Sequence, residues 1–185
     1  GVFIRSMASR GHLGGVSAAT SEAVKVLSAA GFETVIIETI GVGQSEVEVI
    51  EIADIVLLVL VPGTGDEVQV MKAGIMEIGD IFVVNKSDRD GADRLKAELE
   101  YVLDLGNEEE SEQAPVLLTT AKTGEGVDEL HESILRRVKE MREDGELTRR
   151  MVDRVPKPET GGRDAADTSE IKSGLKMPED GVFIG

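Results

Sequence analysis

The sequence predicts a doubly wound, mostly parallel α/β sheet, and three observations carry that expectation. Short continuous runs of Val, Ile and Leu recur along the chain, amphipathic helical stretches separate them, and polar or glycine-bearing turns close them. Runs buried on both faces need no alternation of polar residues, and the helices between them supply the crossovers that parallel strands require. At 185 residues with 41% hydrophobic side chains, the chain can bury one sizeable core. Only 3% of residues are aromatic, so that core is aliphatic.

Taken in order, residues 1–5 carry Val-Phe-Ile and read as a strand cut at its start. Residues 17–30 follow as a helix with Ala18, Val24, Leu27 and Ala30 near one face, and Gly31 closes it. Runs at 34–38 and 55–61 read as strands. Val68, Met71, Ile75 and Ile78 then recur at helical spacing over 67–78. A third run at 80–85 precedes a helix over 92–105, and a fourth at 115–119 precedes a helix over 127–141. The acidic stretch 107–113 reads as a surface loop.

Beyond about residue 144 the apolar periodicity stops, and 156–178 mixes Pro, Gly, Asp, Lys and Ser with few large apolar side chains. The organisation expected is therefore a domain over 1–145 and a largely disordered tail over 146–185. Gly181-Val182-Phe183-Ile184 repeats Gly1-Val2-Phe3-Ile4, but four residues are too short for a structural repeat.

A formal net charge of −16 argues against a broad basic face for nucleic acid or an anionic membrane. No cysteine is present, which excludes disulfides and thiolate metal sites. His12 and His131 are too few and too separated for a metal cluster. No run approaches the roughly 20 apolar residues of a membrane-spanning helix, and no basic-then-apolar leader is present. The expectation is a soluble, cytoplasmic protein.

The sharpest chemical signal is Asn85-Lys86-Ser87-Asp88, directly after the run 81–84. Guanine offers adjacent N1 and N2 hydrogens, and one carboxylate such as Asp88 accepts both; adenine lacks that pair and is rejected. Asn85 is suited to reach the base edge and to tie neighbouring loops, while the Lys86 stem can cover a purine face. The competing reading is a polar turn in which Asp88 caps the next helix. Its position at the C-terminal end of a strand, where open α/β sheets bind ligands, favours the base.

Thr120-Ala121-Lys122 follows the last strand; the tripeptide alone is unremarkable, and its value lies in its order and strand context, since a resemblance to G proteins implies that this position presents a backbone N–H to the guanine oxygen. Glu38-Thr39-Ile40-Gly41-Val42-Gly43-Gln44 also stands at a strand end. Glu38 can hold Mg²⁺, and Gly41 lets its N–H approach a γ-phosphate. By itself that stretch is equally a glycine-rich turn with Ser45 as helix cap.

Three stations in the order Glu-x-x-Gly, Asn-Lys-x-Asp and Thr-Ala-Lys follow the logic of GTPases. Together with residues 4–15, 38–46 and 65–75, they make the chain resemble the MeaB/ArgK/MMAA GTPases over about residues 1–145. The resemblance implies an incomplete sheet of the P-loop GTPase type, GTP/GDP and Mg²⁺ as ligands, and a chaperone that gates cobalamin loading and protects methylmalonyl-CoA mutase or a related mutase. It also implies switch segments at 5–15 and 41–46, with a third at 66–72 facing the mutase. Lys72 is then the candidate for stabilising developing phosphate charge; without the resemblance it is a solvated helix lysine. A homodimer is implied for the full-length form, although the family's dimerising arm is not recognisable after Pro156.

Gly-x-x-x-x-Gly-Lys-Ser/Thr is found nowhere in the chain. In the family it lies upstream of the position of Gly1, so the chain is expected to be N-terminally truncated and to hydrolyse GTP poorly alone. Two other readings are a non-catalytic mutase-interaction module and a G-protein metallochaperone for another metalloenzyme. The second usually brings Cys or His clusters, which are absent.

Overall fold

The four central runs become strands in a computed structural model that describes residues 1–7, 18–39, 49, 51–65, 75–106, 113–153 and 182–184. They are β1 (Thr34–Ile36), β2 (Leu57–Leu60), β3 (Ile81–Asn85) and β4 (Val116–Thr119). Strands β2, β3 and β4 form one parallel sheet in that order, with Val83 level with Val59 on one side and Leu117 on the other. The central strand β3 is buried from Ile81 through Val84, as an uninterrupted apolar run requires.

Because side chains alternate along a strand, β3 divides its residues between two cores. Phe82 and Val84 pack with Leu95 and Leu99 of α2 (Ala92–Gly106). Ile81 and Val83 pack on the opposite face with Ile134, Val138 and Met141 of α3 (Val127–Glu143). Burying each such side chain contributes roughly 1.5–3 kcal/mol, so this doubly covered strand is the main anchor of the domain. The fold is α/β with a parallel sheet covered on both faces, consistent with the P-loop GTPase type.

α1 (Ala18–Ala29) packs on β1 through Val24 against Val35, with Leu27 and Phe32 alongside. β1 stands outside the three-stranded sheet, and among the described residues no strand joins it to β2. Among the described residues β2 has no strand on its other side, and Val59 is 57% exposed.

Three expectations need amendment. Residues 1–5 do not form a strand: they have no regular structure, and Val2 and Ile4 are fully in solvent. The fifth strand is instead β5 (Val182–Ile184), parallel to β1, so β1's backbone groups are taken by the C-terminal copy of Val-Phe-Ile. Nor does the domain stop at residue 145. A turn with Gly145 at φ 77° leads into α4 (Glu146–Asp153), whose Leu147 is buried in the α3 core. Among its described side chains, Leu147 and a set of ion pairs hold this helix. Of the rest of the expected tail, 154–181 and 185 lie outside the described residues. Of the helix expected over 67–78, residues 67–74 also lie outside them, and Ile75–Glu77 form a 3₁₀ turn.

The ion pairs that seat α4 lie at the N-terminal end of β3. Asp80, 4% exposed at its side chain, accepts the Val56 N–H at 2.9 Å and a two-pronged contact from Arg150 at 2.8 and 2.9 Å. Arg150 also donates to the Asp54 carbonyl at 2.9 Å and to Glu146 at 2.6 Å, and Arg137 donates to Glu146 at 2.8 Å. Burial alone would lower the Arg150 pKa, but hydrogen bonds and charge attraction from Asp80 and Glu146 outweigh it and hold the guanidinium above its ordinary value.

Candidate nucleotide-binding site

At the opposite, C-terminal end of β3, Asn85 and Thr119 are level in neighbouring strands, so the loops that follow them leave the sheet side by side. Asn85 Oδ1 binds the two loops together. It accepts the N–H of Lys86 at 2.8 Å, the N–H of Ala121 at 3.2 Å and the Thr119 hydroxyl at 3.4 Å. Backbone N–H groups only donate, so the atom facing them must be the amide oxygen, which fixes the orientation of the Asn85 side chain. Among the described residues its NH₂ makes no hydrogen bond.

A second tie runs through Ser87. Its N–H donates to the Thr119 carbonyl at 3.0 Å, and its hydroxyl lies 2.9 Å from that of Thr120. Between them Lys86 takes a left-handed backbone at φ 59°. A lysine there costs on the order of 1–3 kcal/mol and persists only where its surroundings fix it, a pattern concentrated at ligand clamps. The turn carries Lys86 and Asp88 into solvent while Ser87 faces the protein.

The loop after β4 closes on itself. The Thr120 N–H donates to the Glu125 carbonyl at 2.9 Å, and the Thr120 carbonyl accepts from the N–H groups of Thr123 and Gly124. Gly126 completes the ring at φ 74°, where a Cβ would lie 2.1 Å from the Leu118 carbonyl oxygen. Only glycine fits there. The buried Thr120 is thus held, and Ala121 and Lys122 are presented at the surface beside Asn85. The Ala121 N–H is spent on Asn85; among the described residues the Lys122 N–H has no partner.

Asn85, Lys86, Asp88, Thr120, Ala121 and Lys122 therefore gather at one end of the sheet, as their spacing predicts. Glu38 lies two residues past the end of β1 and is exposed. Gly41 and Lys72 lie outside the described residues. Among the described residues no three His, Cys, Asp or Glu side chains converge as a metal site. A lone exposed carboxylate fits Mg²⁺, which keeps several waters and takes one or two protein carboxylates together with nucleotide phosphates. Sequence reasoning missed Ser87 and Gly126; the signal for Gly126 was the Gly-Glu-Gly turn between a strand and a helix.

Residues 1–160 match a family model described as methylmalonyl Co-A mutase-associated GTPase MeaB. A protein of Pyrococcus horikoshii, named only as a candidate GTPase, is 50% identical over 158 residues, covering 84% of this chain and 50% of that protein. The methylmalonic aciduria type A homolog of Mus musculus is 38% identical over 149 residues, 78% of this chain and 36% of its own. The GTPase ArgK of Escherichia coli K12 is 38% identical over 137 residues, 72% of this chain and 41% of its own. The chain thus spans half or less of the length of these relatives.

Proposed function

The chain belongs to the MeaB family of methylmalonyl-CoA mutase-associated GTPases, and from that premise we propose that it is the guanine-recognising part of a GTP-hydrolysing partner of such a mutase. The observation that supports this best is the triple hydrogen bond to Asn85 Oδ1, which locks the loop of Asp88 to the loop of Lys122. A base held between them needs its recognition groups fixed before it arrives, because loops ordered only on binding spend affinity on ordering.

In this reading the Asp88 carboxylate accepts the N1 and N2 hydrogens of guanine, and the NH₂ of Asn85 donates to the base edge. With the Ala121 N–H already engaged, the Lys122 N–H is the donor for the guanine oxygen. The Lys86 stem covers one face of the base. Glu38 holds Mg²⁺, which neutralises charge on the phosphates when it is bound. The Gly41 N–H meets the γ-phosphate, and Lys72 stabilises charge developing in transfer.

In this reading the wider role is that of a cytoplasmic chaperone that couples its nucleotide state to cobalamin loading and protection of a mutase, working as a homodimer in full length; the family's description as mutase-associated supports the partner. The 185 residues hold no Gly-x-x-x-x-Gly-Lys-Ser/Thr match, and charge-assisted phosphate contacts contribute about 1.5–3 kcal/mol each. Alone, therefore, they turn over GTP slowly. Turnover measured beside an N-terminally extended form tests this, and equal rates would refute it. Calorimetry with GDP and ADP tests the base: a preference for ADP, or none, overturns the assignment.

A further inference from the structure

We propose that Ser87 is a specificity-determining residue: its hydroxyl, paired with that of Thr120, aims the Asp88 carboxylate and so sets how strongly guanine is preferred over hypoxanthine. The inference rests on the guanine reading above and goes beyond it in naming what orients the recognising group. Asp88 is exposed, and among the described residues its carboxylate makes no hydrogen bond. Its own contacts therefore do not aim it. The backbone on both sides does. Before it, the Ser87 N–H donates to the Thr119 carbonyl at 3.0 Å, and the Ser87 hydroxyl lies 2.9 Å from that of Thr120. After it, the Arg89 N–H donates to the Lys86 carbonyl at 3.0 Å and closes a turn over 86–89. Asp88 leaves that pinned turn with its Cβ direction fixed.

The two hydroxyls are not equivalent. Thr120 is 4% exposed, whereas Ser87 is half-buried at the rim. Among the described residues the Thr120 hydroxyl makes no other hydrogen bond, so its proton goes to the Ser87 oxygen. The Ser87 proton is left at the rim, where water reaches it. Removing the Ser87 oxygen thus strands a buried donor, while removing the Thr120 hydroxyl strands nothing that water cannot satisfy.

Selectivity depends on this aim because of what each base offers. Guanine presents N1 and N2 hydrogens to one carboxylate; hypoxanthine presents the N1 hydrogen alone. A single hydrogen bond tolerates a tilted acceptor, but a two-pronged one requires the carboxylate to meet both donors at once. Loosening the turn costs the second bond first. Asp88 supplies the preference, and the Ser87–Thr120 pair sets its size.

The ratio of affinities for GDP and inosine diphosphate, measured by calorimetry on the N-terminally extended form, reads the aim directly. Ser87→Ala should lower that ratio about fivefold or more, almost entirely through weaker GDP binding. Thr120→Val should lower it to the same extent, and the double variant no further, because one pair can be removed only once. Denaturant midpoints should follow a different order: Ser87→Ala lowest, with the double variant recovering towards the parent because no buried donor is left unmatched. An unchanged ratio in Ser87→Ala, or a ratio that follows the midpoints across the three variants, overturns the proposal and leaves Ser87 a purely structural residue. Asp88→Ala tests the reading beneath it and should abolish the preference for GDP over inosine diphosphate. If it does not, the guanine assignment itself falls; if it does and Ser87→Ala has no effect, only the present proposal falls.

Discussion

At the N-terminal end of β3, Asp80 is buried and both its oxygens are engaged by Arg150 and the Val56 N–H. At the C-terminal end, five residues on, Asn85 has its oxygen engaged by two loops, while Asp88 and Lys122 point into water. Both ends are polar, and both are held by hydrogen bonds that cross between elements. The difference lies in what the bonds leave over. Around Asp80 the charges satisfy one another, so the cluster seats α4 and closes the domain. Around Asn85 the bonds fix the backbone and leave donors and a carboxylate unspent, which is the condition for binding something else.

The largest break in that contrast should come from Gly126→Ala. The added Cβ must displace the Leu118 carbonyl, part of β4 itself, and the backbone there is left-handed. A loss of more than about 3 kcal/mol is expected in denaturant unfolding, since strain and a backbone clash combine. A loss under 1 kcal/mol would mean the loop after β4 is far softer than its hydrogen bonds imply.

Asp80→Ala comes next. It strips Arg150 of its main partner at a part-buried site, and about 3 kcal/mol should be lost, with α4 released before the rest of the domain. Hydrogen exchange resolved to α4 and β3 checks the order. Guanine preference should survive where the variant stays folded, because the clamp lies at the far end of the strand.

Asn85→Ala should be milder on folding, about 1 kcal/mol, because the orphaned N–H groups of Lys86 and Ala121 lie at an exposed rim where water can reach them. Its effect on GDP binding should be disproportionate, since both loops lose their common tie. The smallest effect on stability belongs to Asp88→Ala, which should leave the unfolding midpoint where it was and reduce the preference for GDP over ADP by about tenfold or more. If Asp88→Ala instead destabilises the fold and leaves selectivity intact, the carboxylate is a helix cap and the two ends of β3 are alike in purpose.

Much of the arrangement was legible beforehand for one reason: a strand buried on both faces cannot hide its composition. The runs at 81–85 and 116–119 could be little else, and the polar residues straight after them had to fall at the same end of a parallel sheet. The helices over 92–105 and 127–141 were marked by periodicity for the same reason of burial, and the structure extends them to 106 and 143. Where burial is carried by few residues the signal failed. Among its described side chains α4 buries Leu147 and is seated by pairs from positions 80 and 137, which no local pattern connects. Gly126 sits in a Gly-Glu-Gly turn, but only the fold brings the Leu118 carbonyl against it.

The amino-acid order by itself determined the α/β alternation, the aliphatic core and the polar motifs that follow the strands, because these follow from periods of burial and from motifs only a few residues long. Only the tertiary structure decided which oxygen of which side chain ties the loops together, that Asp80 and Arg150 meet across 70 positions, and which of two identical tetrapeptides lies along β1. Those outcomes depend on contacts between distant parts of the chain, and equal local sequences give no preference until long-range packing and loop closure break the tie.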